Sequence, residues 1–269
     1  MTARSPAAAV VADAAATLPA VGLTEVTQGA ALQTRAERRY LVPVDHLAEL
    51  IARLGGAWAA LEIDGRRGFA YGSVYFDTPD LRCYRQHLQG RRRRYKVRTR
   101  AYLDSGDCAL EVKRKGPRDH TIKARLPYPI ADRDRLTPRA RAFLADQLHQ
   151  ASGQPPPRLA AVVTIAYQRT TLVDLAKGAR LTCDVDLVLA GAGRVAHGPS
   201  GHVLVEHKSL GPQGEADAAL HSLGLRPVQL SKYCIAVALL HPGIRANPWH
   251  RTLRRYFTNA TQRPPIPEP

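Results

Sequence analysis

Residues 91–102 read RRRRYKVRTRAY, and the side-chain directions along this stretch decide the fold. Successive side chains of an extended strand point to opposite faces. Arg94, Lys96, Arg98 and Arg100 then share one face, and Tyr95, Val97, Thr99 and Ala101 share the other. Same-face neighbours lie about 6.6 Å apart at a rise of about 3.3 Å per residue. At an effective dielectric of about 20, each adjacent pair of cations repels by roughly 2.5 kcal/mol. Standing alone, such a strand reads as a solvated basic edge as readily as a binding face.

The same alternation recurs along the chain. ERRYLV (37–42) sets Glu37 and Arg39 against Arg38, Tyr40 and Val42, and YGSVYFD (71–77) runs into a turn at Asp77-Thr78-Pro79-Asp80. ALEVKRK (109–115) puts Glu111, Lys113 and Lys115 in phase, and TIKARL (121–126) does so for Lys123 and Arg125. TIAYQRTTLV (164–173) pairs Tyr167 with Arg169, and ARLTCDVDLVL (179–189) groups Arg180, Thr182, Asp184 and Asp186. HVLVEHKSL (202–210) places Glu206 and Lys208 together. With residues 91–102 these make eight candidate strands.

An open sheet on one core turns its charges to water, where a random mixture of polar residues is expected. Here the charged phase is biased toward Arg and Lys with a few Glu. A closed eight-stranded barrel offers the other arrangement, with the charged phase lining a lumen and the apolar phase packed outward beneath helices. Ten or so cations stay charged in such a lumen only opposite a polyanion. Glu37, Glu111 and Glu206, with Asp184 and Asp186, could hold a divalent metal there. The expected fold is therefore α+β, an eight-stranded antiparallel β-barrel with flanking helices, and a lumen carrying both signs is a triphosphate site.

Composition agrees with a basic, packed domain. The chain has 269 residues, 45% hydrophobic, with a formal charge of +16. That charge calls for a polyanionic partner: nucleic acid, an anionic membrane surface or a phosphate-rich small molecule. No apolar run reaches 18 residues, which excludes a transmembrane helix. Cys83, Cys108, Cys183 and Cys234 stand without metal-ligand spacing, so a reducing, cytoplasmic setting is expected. Residues 1–34, rich in Ala, read as a disordered leader; residues 35–246 read as the globular domain, and 247–269 as a basic, Pro-rich tail in which Trp249 and Tyr256 could dock. Helical spacing marks VDHLAELIARLG (44–55), Pro138 to Gln150, Glu215 to Leu223 and Ser231 to Leu240. The start of the last helix, beside Lys232, could bind an anion through free backbone N–H groups, and a core-packing role is equally compatible.

The order ERRYLV, SVYFDTPDLRCY, RRRYKVRTR, ALEVKRK, TIKARL, AYQRTTL, RLTCDVD, LVEHK and LSKYC resembles the VTC domain, the polyphosphate-polymerase branch of the triphosphate tunnel metalloenzyme (CYTH-like) superfamily. The resemblance covers roughly residues 35–240 and implies an eight-stranded tunnel. It also implies an ATP-dependent phosphotransferase that moves the γ-phosphate of ATP onto inorganic polyphosphate, with Mn2+ or Mg2+ as cofactor. On the family pattern Arg98, Arg100, Lys113, Lys123, Arg169, Arg180 and Lys232 carry the reaction. Arg39, Lys96, Lys115, Tyr167, Lys208 and Ser231 hold the substrate, and Glu206, Glu37 and Glu111 hold the metal. Two positions depart from the family: Arg35, Glu37 and Arg39 stand where the first strand usually reads ExExK, and Gln229 stands where some polymerases carry a base two residues before the serine of SKY. The missing acid implies one metal rather than two.

Two other functions compete. A metal-dependent triphosphate hydrolase would use the same residues with water as acceptor, and a non-catalytic polyphosphate-binding or sensor domain would bind without turnover. Nucleic acid is not expected as a partner. Only 6% of the residues are aromatic and Tyr95 falls opposite the cations, whereas single-strand binders interleave stacking aromatics with basic groups. Arg251, Arg254 and Arg255 raise a peripheral contact with the inner face of a membrane or a membrane-associated partner, against the favoured reading of an ordinary solvated tail.

Overall fold

The computed structural model describes residues 5–30, 36–116, 121–152, 157–210, 214–257 and 261–262. In chain order its first elements are α1 (Pro6–Ala16), β1 (Ala20–Val21), α2 (Leu23–Ala30), β2 (Ala36–Pro43), α3 (Leu47–Arg53), β3 (Ala59–Leu61) and β4 (Gly68–Asp77). Next come α4 (Arg82–Leu88), β5 (Tyr95–Tyr102), β6 (Asp107–Lys115), β7 (Thr121–Pro127), α5 (Pro138–Ser152) and β8 (Ala160–Asp174). The last are β9 (Ala179–Gly191), β10 (Arg194–His197), β11 (His202–Ser209), α6 (Glu215–Ser222), α7 (Lys232–Leu240), α8 (His250–Tyr256) and β12 (Thr261–Gln262). Each of the eight segments read as strands from alternation forms one of the long strands.

The expected barrel is not what these strands build. They form a sheet with the order β12-β10-β9-β8-β4-β5-β6-β7, and β11 leaves β9 to pair with β2. Among the described residues β7 pairs only with β6, and β12 only with β10, so the ends do not meet and the sheet is open. The fold is α+β with a large, mainly antiparallel sheet. Closing a barrel needs the two end strands to pair at a matched tilt and stagger, and alternation carries no information about either. The edge strand β7 presents exposed Lys123 and Arg125, charges of the kind that keep an edge from pairing further.

Two compact units divide the chain. The first comprises Met1–Ala70, Tyr167–Leu187 and Gly198–Gln229, and the second Tyr71–Ala166, Val188–His197 and Leu230–Pro269.

In the first unit β2, β11 and β9 form an antiparallel ladder in which Glu206 lies opposite both Arg39 and Thr182. The apolar phase of these strands, including Tyr40, Val42, Leu181, Cys183, Val203 and Val205, packs with helical residues such as Leu47, Leu50 and Leu220. The stretch read as a disordered leader is corrected here. It carries α1, capped by Ser5 accepting from the Ala8 amide at 3.1 Å and opened by Pro6. Ala7, Val11, Ala14 and Ala15 of α1 are buried in the same core. Alanine has the highest helix propensity, so an Ala-rich stretch without regular hydrophobic spacing still folds once one face has a core to cover. The Arg67 guanidinium donates to the Ala15 and Leu18 carbonyls at 2.6 and 2.9 Å, satisfying the helix end.

The second unit contains the β4-β5-β6-β7 ladder, antiparallel throughout. Val97, Ala101, Leu110 and Val112 face a core completed by Ala140, Leu144 and Leu148 of α5. The arginine run behaves differently from its reading: the strand begins at Tyr95, and Arg94 turns back to donate to the Gly90 and Arg91 carbonyls at 3.2 and 2.7 Å. Trp249 docks as expected, buried with its ring 5.5 Å from that of Tyr84.

Asp77 ties the end of β4 to α4 and α7. Its fully buried carboxylate accepts from the amides of Thr78 (2.7 Å), Cys83 (2.8 Å) and Tyr84 (3.0 Å), and from the Tyr233 hydroxyl. Asp77→Asn keeps the shape but turns one acceptor into a donor. It is expected to lower unfolding free energy by about 1–3 kcal/mol, read from urea denaturation; an unchanged midpoint would refute this role.

Candidate functional site

The cations expected to hold phosphate fall into two clusters, one in each unit.

In the second unit the register of β5, β6 and β7 sets rows of side chains across one face. Lys96, Lys113 and Lys123 stand directly opposite one another, and the next row holds Arg98, Glu111 and Arg125. Arg100 lies opposite Ala109. Like charges directly opposite on neighbouring strands are destabilising, so the row of three lysines is held against its own repulsion. Glu111 sits among them, its side chain 2% exposed. The Arg98 guanidinium donates to Glu111 Oε2 at 2.8 Å from Nε and 2.6 Å from its terminal nitrogen, and Lys123 Nζ lies 2.6 Å from Oε1. Burial pushes the Glu111 carboxyl up, but Arg98, Arg100 and Lys123 outweigh it and hold the group well below the usual carboxylate range. Glu111, expected as a metal ligand, is thus the anionic anchor of two of the cations.

Tyrosines support the same face, and the sequence reading missed them. Tyr75 accepts from Arg98 at 2.8 Å, and its ring stacks at 5.0 Å on that of Tyr233, the tyrosine of SKY. Arg100 lies 5.6 Å from the Tyr71 ring centre and Arg125 5.3 Å from that of Tyr102. The signal was present in YGSVYFD, where Tyr71, Tyr75 and Asp77 share one phase and register places Tyr75 opposite Arg98. Ser231 caps α7 through the Cys234 amide at 3.4 Å, and this helix is buried over most of its length, the core-packing role that the sequence left open.

Lys123 gives the face a pH dependence. Burial lowers its pKa, Glu111 raises it, Arg98 and Arg100 lower it, and the balance lies at about 8. As pH rises through about 8 this ammonium loses its charge and its hold on an anion. With triphosphate as substrate, kcat/KM is expected to fall about three- to tenfold between pH 7 and 9, whereas Lys123→Arg stays flat over that range. Stability moves the other way: the unfolded lysine, near its ordinary value of 10.5, binds the proton more tightly, so the destabilising effect of the charge fades above about pH 8.

In the first unit Arg39 gathers two acids. Its Nε donates to Glu206 at 3.1 Å and its guanidinium also contacts Glu37, while Lys208 Nζ lies 2.6 Å from Glu206. Lys208 stands opposite Glu37 on β2 and opposite Arg180 on β9. Arg169 forms a two-toothed pair with Asp184, at 2.6 and 2.8 Å, and lies 5.3 Å from the Tyr167 ring centre. Burial works against the Arg169 charge, but Asp184 overcomes it and holds the pKa well above the ordinary value.

Two acids weighed as metal ligands are committed elsewhere. Asp184 is the partner of Arg169, and Asp186, at φ +55°, accepts from Ser5 Oγ at 2.6 Å. Arg35 lies outside the described residues. Among the described residues no three His, Cys, Asp or Glu side chains come together in the manner of a metal centre. Glu37 and Glu206 are themselves paired with Arg39, and Glu206 also with Lys208, so a magnesium-like ion, which takes one or two carboxylates and completes its shell with phosphate and water, would have to displace those cations to be held there. No described helix is long and apolar enough to cross a membrane.

The family described as the VTC domain matches residues 34–241. No curated protein matches. Solved structures that the chain matches include a Bacillus halodurans protein described as an adenylate cyclase candidate, 15% identical with a TM-score of 0.42, the match covering 74% of this chain and 95% of that one. Another is a Pyrococcus horikoshii protein, 12% identical, TM-score 0.38, covering 71% and 91%. A third is a Hippeastrum adenylyl cyclase candidate described as having a dominant triphosphatase activity, 14% identical, TM-score 0.44, covering 74% and 93%.

Proposed function

The chain belongs to the VTC domain family, and from that membership we propose that it is a triphosphate-processing enzyme that cleaves the terminal phosphoanhydride of ATP or inorganic triphosphate, with water as the leading acceptor. One observation carries the reading: Lys96, Lys113 and Lys123 stand opposite one another beside Arg98 and Arg100, with Glu111 as the acid among them. Such a face gains most from a ligand bearing several adjacent negative charges.

Phosphoryl transfer asks little covalent work of a protein. It needs the terminal phosphorus in line with an attacking oxygen, and cations where charge develops on the bridging and terminal oxygens. Arg98, fixed by Glu111 and Tyr75, offers guanidinium donors suited to a phosphate edge. Lys123 adds a point charge on Glu111's other oxygen. As the bond to the leaving oxygen breaks, that oxygen keeps the electron pair, and water supplies the new P–O bond and releases a proton to solvent.

Openness favours water over a phosphate chain end. Lys123 is 47% exposed in its side chain, and a transferase must exclude water to protect the bond it forms. The second reading, transfer onto inorganic polyphosphate, is favoured by the family itself. A divalent cation, Mn2+ or Mg2+, belongs to the proposal; Glu37 and Glu206 of the first unit are the acids that would hold it, and it would supply neutralisation of phosphate charge there.

The test is incubation of the full chain with ATP or tripolyphosphate, with and without Mn2+ or Mg2+, resolving ADP, free phosphate and polyphosphate. Free phosphate matching ADP supports hydrolysis, polyphosphate with ADP establishes the transferase, and binding without turnover overturns the enzymatic reading. Loss of turnover in Glu206→Gln, with saturable Mn2+ binding lost in the same variant, supports the metal assignment.

A further inference from the structure

Outside the faces just described, α4 and the turn after it form a second basic feature of the second unit. Gly90, at φ +64°, ends the helix in the left-handed conformation that glycine adopts without strain. The Gly90 amide reaches the His87 carbonyl at 3.2 Å and the Arg91 amide the Gln86 carbonyl at 2.9 Å. That closure folds the chain back along the helix. A groove of about 590 Å³ results, lined by Arg82 and Arg85 of α4, Arg91, Arg92 and Arg93 of the turn, and Gln86 and Gln89 between them.

All five arginines are exposed. Arg85 pairs with Asp80, and Arg91 Nε donates to the Gln89 carboxamide at 2.9 Å. No carboxylate lines the groove itself. On the same helix His87 is kept uncharged: burial first, then Lys96, Arg94 and Lys113, bring its pKa down to about 3. Of the five guanidiniums, Arg85's is the one given an acidic partner, Asp80, among the described residues, and no carboxylate lines the wall opposite the other four.

We infer that this groove is a second anion site, distinct from the proposed reaction face, that takes an oligophosphate, a ligand carrying several phosphate groups within a small volume. Arginine's planar fork matches phosphate edges, and the Gln86 and Gln89 carboxamides add neutral donors. The volume falls in the range of small-molecule sites, about 300–1,000 Å³. No aromatic side chain lines it, so it lacks the stacking platforms of single-strand nucleic-acid sites. The inference is independent of the reaction proposed above.

The test titrates the full chain at fixed ionic strength with inositol hexakisphosphate, a compact source, and long-chain polyphosphate, a linear one. An Arg98→Ala background suppresses binding at the reaction face. Two variants with the same loss of charge are compared: Arg91→Gln/Arg92→Gln/Arg93→Gln, and Arg251→Gln/Arg254→Gln/Arg255→Gln in α8. The first is expected to weaken at least one ligand about tenfold or more, and the second less than about twofold. Whichever ligand responds identifies the source. Equal weakening by both variants, or none by the first, overturns the site. Equally tight, equally sensitive binding of single-stranded DNA overturns the ligand class. Wild-type chain without turnover but with this selective binding defeats the proposed reaction and leaves the groove standing.

Discussion

Arg98→Ala is expected to reduce kcat/KM for triphosphate about 10²- to 10³-fold, the range seen when a fixed donor to developing charge is removed. Arg98 donates to Glu111 and Tyr75, so its guanidinium is held in one orientation before substrate arrives. Its removal also loosens Glu111, whose buried carboxylate then keeps Lys123 as its close partner. The two effects separate in a double variant. Arg98→Ala/Glu111→Gln relieves the unbalanced carboxylate and is expected to regain most of the lost stability while turnover stays low. If stability and turnover recover together, Arg98 is a scaffold for the fold and not a phosphate donor. Arg98→Lys is expected to fall between, since a point charge replaces the fork.

The largest stability effect is expected at Arg169. Asp184 is fully buried, and its two oxygens accept from Nε and a terminal nitrogen of Arg169. Arg169→Met removes the two-toothed guanidinium partner of that carboxylate, and breaking a buried pair in this way costs about 3–5 kcal/mol. For a chain of this size the loss corresponds to a fall in Tm of about 6–20 °C. Replacing both partners, Arg169→Met/Asp184→Leu, is expected to recover most of it, because two packed apolar side chains need no mutual charge. Thermal denaturation of the three proteins decides the matter; a single variant within about 1 kcal/mol of wild type would show that water already reaches Asp184.

Both positions were visible before the fold was. Arg98 and Arg169 stood out because each shared a strand phase with other polar groups, and the apolar phases opposite them, Val97 and Val112 or Leu181 and Cys183, are indeed buried. Their partners were less legible. That Glu111 answers Arg98 and Lys123 depends on the register of β5, β6 and β7, and that Asp184 answers Arg169 depends on β8 and β9 being neighbours. Asp184 read as a metal ligand because a carboxylate in a charged phase has the same sequence signature whether a cation or an arginine satisfies it. Asp77 read only as a turn residue, since its donors come from α4 and from Tyr233, far along the chain. The leader was misjudged because its apolar residues lack a regular stripe, while burial of α1 needs only Ala7, Val11, Ala14 and Ala15 on one side.

Local chemistry determined the eight long strands, the division of each into a charged and an apolar phase, the four helices marked by spacing, and the cationic character that calls for a polyanionic partner. These follow from a two-residue period and a 3.6-residue period, both readable from nearest neighbours. Tertiary structure alone decided that the sheet stays open, that Arg94 leaves the strand, which acid holds which cation, and that five arginines on either side of Gly90 line one open groove. Each of these depends on which strands become neighbours and at what register, a choice made by contacts between residues far apart in the chain and by the cost of burying a charge without its partner.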